Sequence, residues 1–435
     1  MQYPLTIFEK YMFFDDTPEY PMDSFRQIRL SGSVNTEVFA ESIKTVVAVN
    51  PLLRSIIKKT GSRKYVWQDV EQPVFVRVSD ELVPERINIK NQPGFRSYIR
   101  KTADETSVLF QFHHSVSDGL GEMEFIGDVL TDYAQRVKGE TPPPPQRDAS
   151  LLPLRGKSGL TLKSYIKNYI NTMYTTNQLL FGSPDPLKPL KETAPAPIRE
   201  YFTFITSEMT PETTKTCFAE AKKCGVTIND YLLAALFSAM YRWREQFAAS
   251  ETSGTIPMNP LYRLAVPLSL RTPKHKNIPA SNSVTMLFID RRLRQCGDRQ
   301  RLIKNVHREM VWAKRAEQKH YLLLSLRIRD FLPGGIPAIL KSLNCRSTIV
   351  LSNLGRVFET LPLSRRADGK IIVGDAVLES VDAAPPIRRG TLISFSVLTY
   401  SGSLRFILRY DSQNMTKNEA ETFLEYFVKE LSVCM

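Results

Sequence analysis

The stretch Gln111–Glu122, QFHHSVSDGLGE, decides the reading of this chain. It closes the run SVLFQFHH, which reads as a strand. Successive strand side chains point to opposite faces, so Val108, Phe110, Phe112 and His114 share one face, and Leu109, Gln111 and His113 the other. The adjacent imidazoles therefore cannot share one task or chelate one ion. Ser117-Asp118-Gly119 turns the chain into a helix, LGEMEFIGDVLTDYAQRV, with Met123, Ile126, Leu130 and Tyr133 at helical steps. Gly119 is expected to relieve backbone strain at that turn. A strand end followed by a turn fixes a side chain at the edge of a cleft. A neutral imidazole there can take a proton from a hydroxyl, amine or thiol and give it back. Elsewhere the sequence has no G-x-S-x-G elbow, phosphate loop, dinucleotide turn or H-E-x-x-H helix, so this pair is its strongest chemical signal.

Working outward, SFRQIRLSG alternates like a strand, and NTEVFAESIKTVVAVN reads as a helix with Val38, Phe39, Ile43, Val46 and Val47 on one side. Two Pro-rich breaks follow, Gly139–Ser150 and Phe181–Glu200. Between them LTLKSYIKNYINTMYTTNQLLF reads as a helix, with Leu162, Tyr165, Ile166, Tyr169, Ile170 and Met173 at three- and four-residue steps. The second break is the better boundary and divides the chain into residues 1–190 and 191–435. In the second half TINDYLLAALFSAMYRWR is a buried helix capped by Thr227 or Asn229. LAVPLSL, NSVTMLFID and STIVLSNLG are strands. TLISFSVLTY and LRFILRYD flank the hairpin signal Ser401-Gly402-Ser403, and Thr416 with Glu419 forms a capping box before the last helix. Both halves thus mix strands and helices.

The 435 residues are 42% apolar and 24% charged, as in globular proteins, and long enough for two to three domains. Five scattered cysteines, with no C-x-x-C pair, exclude a disulfide scaffold and a cysteine zinc site, and point to a reducing cytoplasmic compartment. No metal site is expected. No apolar run is long enough for a transmembrane segment, and the N-terminus lacks a signal pattern. The net charge of +13 favours anionic partners, but the basic residues are dispersed and no nucleic-acid motif accompanies them.

The run HHSVSDG resembles the H-H-x-x-x-D-G signature of the chloramphenicol acetyltransferase-like acyltransferases, which include condensation domains, alcohol acetyltransferases and wax ester synthases. The run Asn50–Arg54, NPLLR, is similar to the segment after that family's first helix. Gly225–Leu236, Val266–Arg271, Asn282, SNLG at Ser352–Gly355 and the closing hairpin follow in the family's order. The resemblance implies two similar α/β lobes, each a mixed sheet with flanking helices, forming an internal pseudo-dimer with a tunnel between them. It implies that His114 is the general base for acyl transfer from a thioester, and that His113 and Gly119 are structural. Asp118 would hold the turn through an arginine, Arg54 being the matching candidate. Ser352, Asn353 and Gly355 are candidates for the oxyanion loop. The donor would be a coenzyme A thioester and the acceptor an alcohol, with no permanently bound cofactor. The alternative donor is the phosphopantetheine thioester of an acyl carrier protein, supplied in trans because the chain carries no G-x-D-S-L site. A non-catalytic binding or scaffold relative is the third reading. An internal pseudo-dimer can act as a monomer. The D-F-G-W-G motif of the plant-type branch is absent.

Overall fold

Alternating apolar residues in two neighbouring stretches create the centre of the first sheet. Phe25, Ile28 and Leu30 are buried on one strand, and Val108, Phe110 and Phe112 on the next. The computed structural model describes residues 2–157, 182–190, 200–250 (backbone only for 247–250), 259–315, 317–342 and 345–432, with Tyr169, Met173 and Asn177. In chain order the strands are β1 Gln2–Pro4, β2 Asp23–Gly32, β3 Ser55–Lys59, β4 Tyr65–Asp69, β5 Val76–Val78, β6 Phe95–Lys101, β7 Glu105–His113, β8 Ile205–Glu208, β9 Leu261–Ser269, β10 Val284–Arg292, β11 Ile349–Arg356, β12 Ile372–Val373, β13 Ala376–Ala384, β14 Ile393–Tyr400 and β15 Ser403–Tyr410. The helices are α1 Ile7–Asp15, α2 Thr36–Ala48, α3 Gly119–Arg136, α4 Pro211–Lys223, α5 Ile228–Ser250, α6 Arg299–Arg315, α7 Tyr321–Phe331, α8 Gly335–Ser342 and α9 Lys417–Ser432.

Two six-stranded mixed sheets result, in the orders β12-β13-β2-β7-β6-β5 and β10-β9-β11-β14-β15-β8, with a small third sheet β1-β4-β3. In the first, only β5 and β6 run parallel; in the second, β11 runs parallel to both β9 and β14. Each six-stranded sheet packs on its own helices around its own apolar core. Phe112 meets Phe95 and Phe125 at ring separations of 5.1 and 5.7 Å, which seats α3 on the first sheet. A third, smaller core joins the lobes, where Phe8, Tyr11, Met12 and Met22 pack with Met286, Phe288, Leu326 and Val350. This is the two-lobed pseudo-dimer that the motif implied.

The halves are interlocked rather than separate. Residues 376–384 fall after the division at residue 190, yet β13 pairs antiparallel with β2 from Ala376↔Gly32 to Ala384↔Phe25 and extends the first sheet. The local elements form where the sequence patterns put them. Asn35 caps α2, Thr227 and Asp230 cap α5 reciprocally, and Thr416 with Glu419 caps α9. Tyr400 pairs with Ser403, leaving Ser401 and Gly402, both at positive φ, as a two-residue turn. The helix read over residues 160–181 lies outside the described residues, save Tyr169, Met173 and Asn177, which are helical and exposed. Among the described residues no helix is long and apolar enough to cross a membrane.

Candidate active site

The register of β2 and β7 ends with Asp23 opposite His113. The next residue, His114, leaves the strand, and its backbone N–H donates to Met22 O at 2.6 Å. The two imidazoles diverge at this point. His113 is fully buried. Its Nδ1 accepts the Ser115 N–H at 3.3 Å, and its Nε2 lies 3.7 Å from Asp16 Oδ1. Burial pushes the Asp16 carboxyl up, but contact with His113, the Met22 N–H and Arg86 outweigh it and hold that group below its usual range.

His114 keeps 17% of its side chain accessible. Its Nδ1 is sealed, 3.7 Å from Glu122 Oε1, so the open part of the ring is the opposite edge. Glu122 sits on the first turns of α3, fully buried, where Ser24 Oγ donates to it at 2.9 Å and Arg26 Nη2 lies at 2.6 Å. Burial pulls the Arg26 guanidinium down from its usual value, against the opposing charges of Glu122 and Asp118. The open edge of His114 faces a narrow cavity of about 60 Å³ between the lobes. Its walls include Phe8, Met12 and Met22 from the first half, and Val284, Met286, Val350 and Ser352 from the second. A tunnel was expected at this position; the space that His114 lines is this cavity of about 60 Å³. A cleft of about 540 Å³ beside Pro211, Arg356 and Ser401 is larger, and no histidine lines it.

Asp118 caps α3 by accepting the Gly121 N–H at 3.0 Å, and also accepts the Ser283 N–H at 2.7 Å. Its ion-pair partner is Arg271, whose Nη1 lies 2.8 and 2.7 Å from the two carboxylate oxygens. The Arg54 assignment is therefore corrected. Arg54 ends the turn into β3, where the neighbouring strand β4 brings Asp69 to 2.8 Å from its Nη2. Burial pushes the Asp118 carboxyl up, but Arg271 outweighs it and leaves the group below its usual range. Asn282 fastens the same turn, donating Nδ2 to His114 O at 2.9 Å and Ser115 O at 2.7 Å.

Gly119 is not strained; its φ is not positive. Close packing bears on it instead: a Cβ would lie 2.7 Å from Leu354 Cδ2, so that the Leu354 side chain must shift, and 3.3 Å from Arg26 Nη2. The SNLG segment divides by strand parity. Ser352 lines the cavity, as does Ser396, its register partner on β14. Asn353 turns away: its Nδ2 lies 3.5 Å from Asn229 Oδ1, and its own Oδ1 accepts the Gly355 N–H at 3.0 Å. Gly355 follows at φ +67° in a bulge. Arg26, Glu122 and Arg271 were not singled out by the sequence, although a charged residue inside the apolar alternation of β2 was a usable signal for Arg26.

The condensation-domain profile matches residues 11–250. The chain belongs to the condensation-domain family. It is 22% identical over 245 residues to one of the polypeptides of linear gramicidin synthase from Brevibacillus parabrevis, covering 50% of this chain and 3% of that protein. It is 23% identical over 278 residues to an uncharacterized protein of Mycobacterium tuberculosis, covering 59% of this chain and 61% of the other. The chain thus spans a small fraction of one curated relative and under two thirds of the other. Among solved structures, the first condensation domain of the calcium-dependent antibiotic synthetase superposes with a TM-score of 0.69 at 14% identity over 99% of this chain and 96% of that one. Trichothecene 15-O-acetyltransferase from Fusarium sporotrichioides gives 0.72 at 10% identity, over 99% and 94%. The starter condensation domain of rhizomide synthetase, solved as a mutant with C8-CoA and Leu-SNAC, gives 0.68 at 13%, over 99% and 94%. These likenesses show the fold that this chain shares with condensation domains.

Proposed function

We propose that this condensation-family chain transfers an acyl group from a coenzyme A thioester to an alcohol, with His114 as general base. The observation that carries the reading is the exposed edge of His114 in a cavity between the lobes, its other nitrogen held beside Glu122. His114 takes the proton from the acceptor hydroxyl as that oxygen attacks the thioester carbonyl. The C–O bond forms, the C–S bond breaks, and the imidazolium returns its proton to the departing thiolate. Holding both substrates at the base supplies much of the rate, and no acyl-enzyme is needed. Ser352 and Ser396, both on the cavity wall, are the hydroxyls we assign to the oxyanion. His113 is structural, tied to Asp16, and Asp118 with Arg271 and Asn282 sets the turn.

Two structural relatives support the reading, one an O-acetyltransferase and the other a condensation domain solved with C8-CoA. A carrier-protein thioester is the second reading, the alternative donor that membership of the condensation-domain family brings with it. Thiol release from acyl-CoA and from an acyl carrier protein of equal chain length, across alcohols and amines, separates the two. Faster release from acyl-CoA with an alcohol is the expected result. A clear preference for the carrier, or for an amine, overturns the first reading.

A further inference from the structure

The segment between β13 and β14 forms one wall of the His114 cavity through Pro385, Pro386 and Arg388. The neighbouring wall is made by Phe8, Met12, Met22 and Met286, so a charged residue beside it needs polar partners. Arg388 is buried, 8% exposed. Its Nε donates to Asp15 Oδ2 and its Nη2 to the Tyr11 hydroxyl. Its Nη1 bonds to no protein group among the described residues and is not sealed by packing. The other charged side chains described on the wall leave no donor that is both unpartnered and open. Arg26 gives Nη1 to Phe25 O and Nη2 to Glu122, with Nε sealed. Asp118 is held by Arg271 and two backbone N–H groups. Among the described residues, Arg388 therefore presents the open cationic donor of this cavity.

We propose that Arg388 is an anion subsite of the reaction cavity and that one of the two substrates carries a carboxylate that it receives. This rests on reading the cavity as the acyl-transfer site. Asp15 and Tyr11 hold the guanidinium in place, so its unpartnered donor is positioned before substrate arrives, and a charge-assisted bond to a carboxylate is stronger than one to a neutral group. The carboxylate sits either on the acceptor, as in a hydroxy acid, or on the acyl group, as in the monothioester of a dicarboxylic acid.

Two pairs of substrates distinguish these sources. Succinyl-CoA is compared with butyryl-CoA on a neutral alcohol, and 3-hydroxybutyrate with its methyl ester on acetyl-CoA. The carboxylate member of one pair is expected to show about tenfold or greater advantage in kcat/KM. Arg388→Gln erases that advantage through KM, and Arg388→Lys keeps part of it. Because Arg388→Gln leaves the part-buried Asp15 without its partner, the double variant Asp15→Asn/Arg388→Gln is measured beside it. Equal use of both members of both pairs by the unaltered protein overturns the subsite, as does a preference that survives Arg388→Gln. Calorimetry with hexanoate and hexanamide reads the subsite without turnover. Hexanoate is expected to bind about tenfold or more tightly than hexanamide, with the difference lost in the double variant; equal or absent binding contradicts the proposal. A protein that prefers hexanoate but turns over no thioester would refute the acyl-transfer reading and leave the anion subsite standing.

Discussion

At the scale of single residues, the proposal divides the motif into a base, His114, and the groups that hold it. Asp118, paired with Arg271 and two backbone N–H groups, is proposed as a holder. Replacing it with Asn leaves the part-buried Arg271 beside a neutral amide, and since breaking one side of a fully buried pair costs about 3–5 kcal/mol, a loss of up to that size is expected. Melting temperature at neutral pH should fall accordingly, while the pH dependence of turnover in the surviving protein stays in place. Normal melting with a displaced pH optimum would assign Asp118 to the chemistry instead. The folded Asp118 carboxyl lies below its usual value. Its contribution is therefore full above the unfolded value of about 3.9 and is lost as pH falls through the folded one. Melting followed from pH 6 downward should show an acid-side loss that is shallower in Asp118→Asn. Ser352→Ala tests the oxyanion assignment: kcat should fall about 100- to 1000-fold with KM little changed, and an unaltered kcat would remove Ser352 from the reaction.

At the scale of elements, the sequence was most legible where a period or a cap decides the outcome. The alternation of β7, the caps of α2, α5 and α9, and the two-residue turn at Ser401–Gly402 are all local in origin. The divergence of His113 and His114 was legible for the same reason, although His114 sits one residue beyond the strand. What could not be read were pairings made across the fold. Arg54 and Arg271 both carry a guanidinium, and only the third dimension puts Asp69 beside the first and Asp118 beside the second. Glu122 looked like an ordinary helix residue because its neighbours Ser24 and Arg26 come from another strand. Gly119 was read as a conformational requirement, whereas the constraint is the approach of Leu354 from the other half. Gly119→Val therefore pushes α3 away from β11. A loss of about 1–3 kcal/mol in denaturant stability is expected from such overpacking, with reduced activity. A variant of unchanged stability would show that Leu354 yields freely.

At the scale of the whole molecule, two sheets share one chain without dividing it cleanly. Because β13 completes the first sheet from the far half, a polypeptide of residues 1–190 exposes the edge of β2 that Ala376–Ala384 normally covers. Such a fragment should lack fixed tertiary structure by near-ultraviolet circular dichroism, and a cooperative melt from it alone would contradict the interlocked architecture. The same arrangement lets both halves line one cavity, so His114 from one side can meet Ser352 and Arg388 from the other. The central claim is that this imidazole is the base. Thiol release from an acyl-CoA and an accepted alcohol, measured for the unaltered protein and for His114→Ala with melting temperatures compared, tests it most directly. A loss of about 100- to 10,000-fold in turnover with melting preserved is the predicted result. Turnover near that of the unaltered protein in a folded His114→Ala would contradict it.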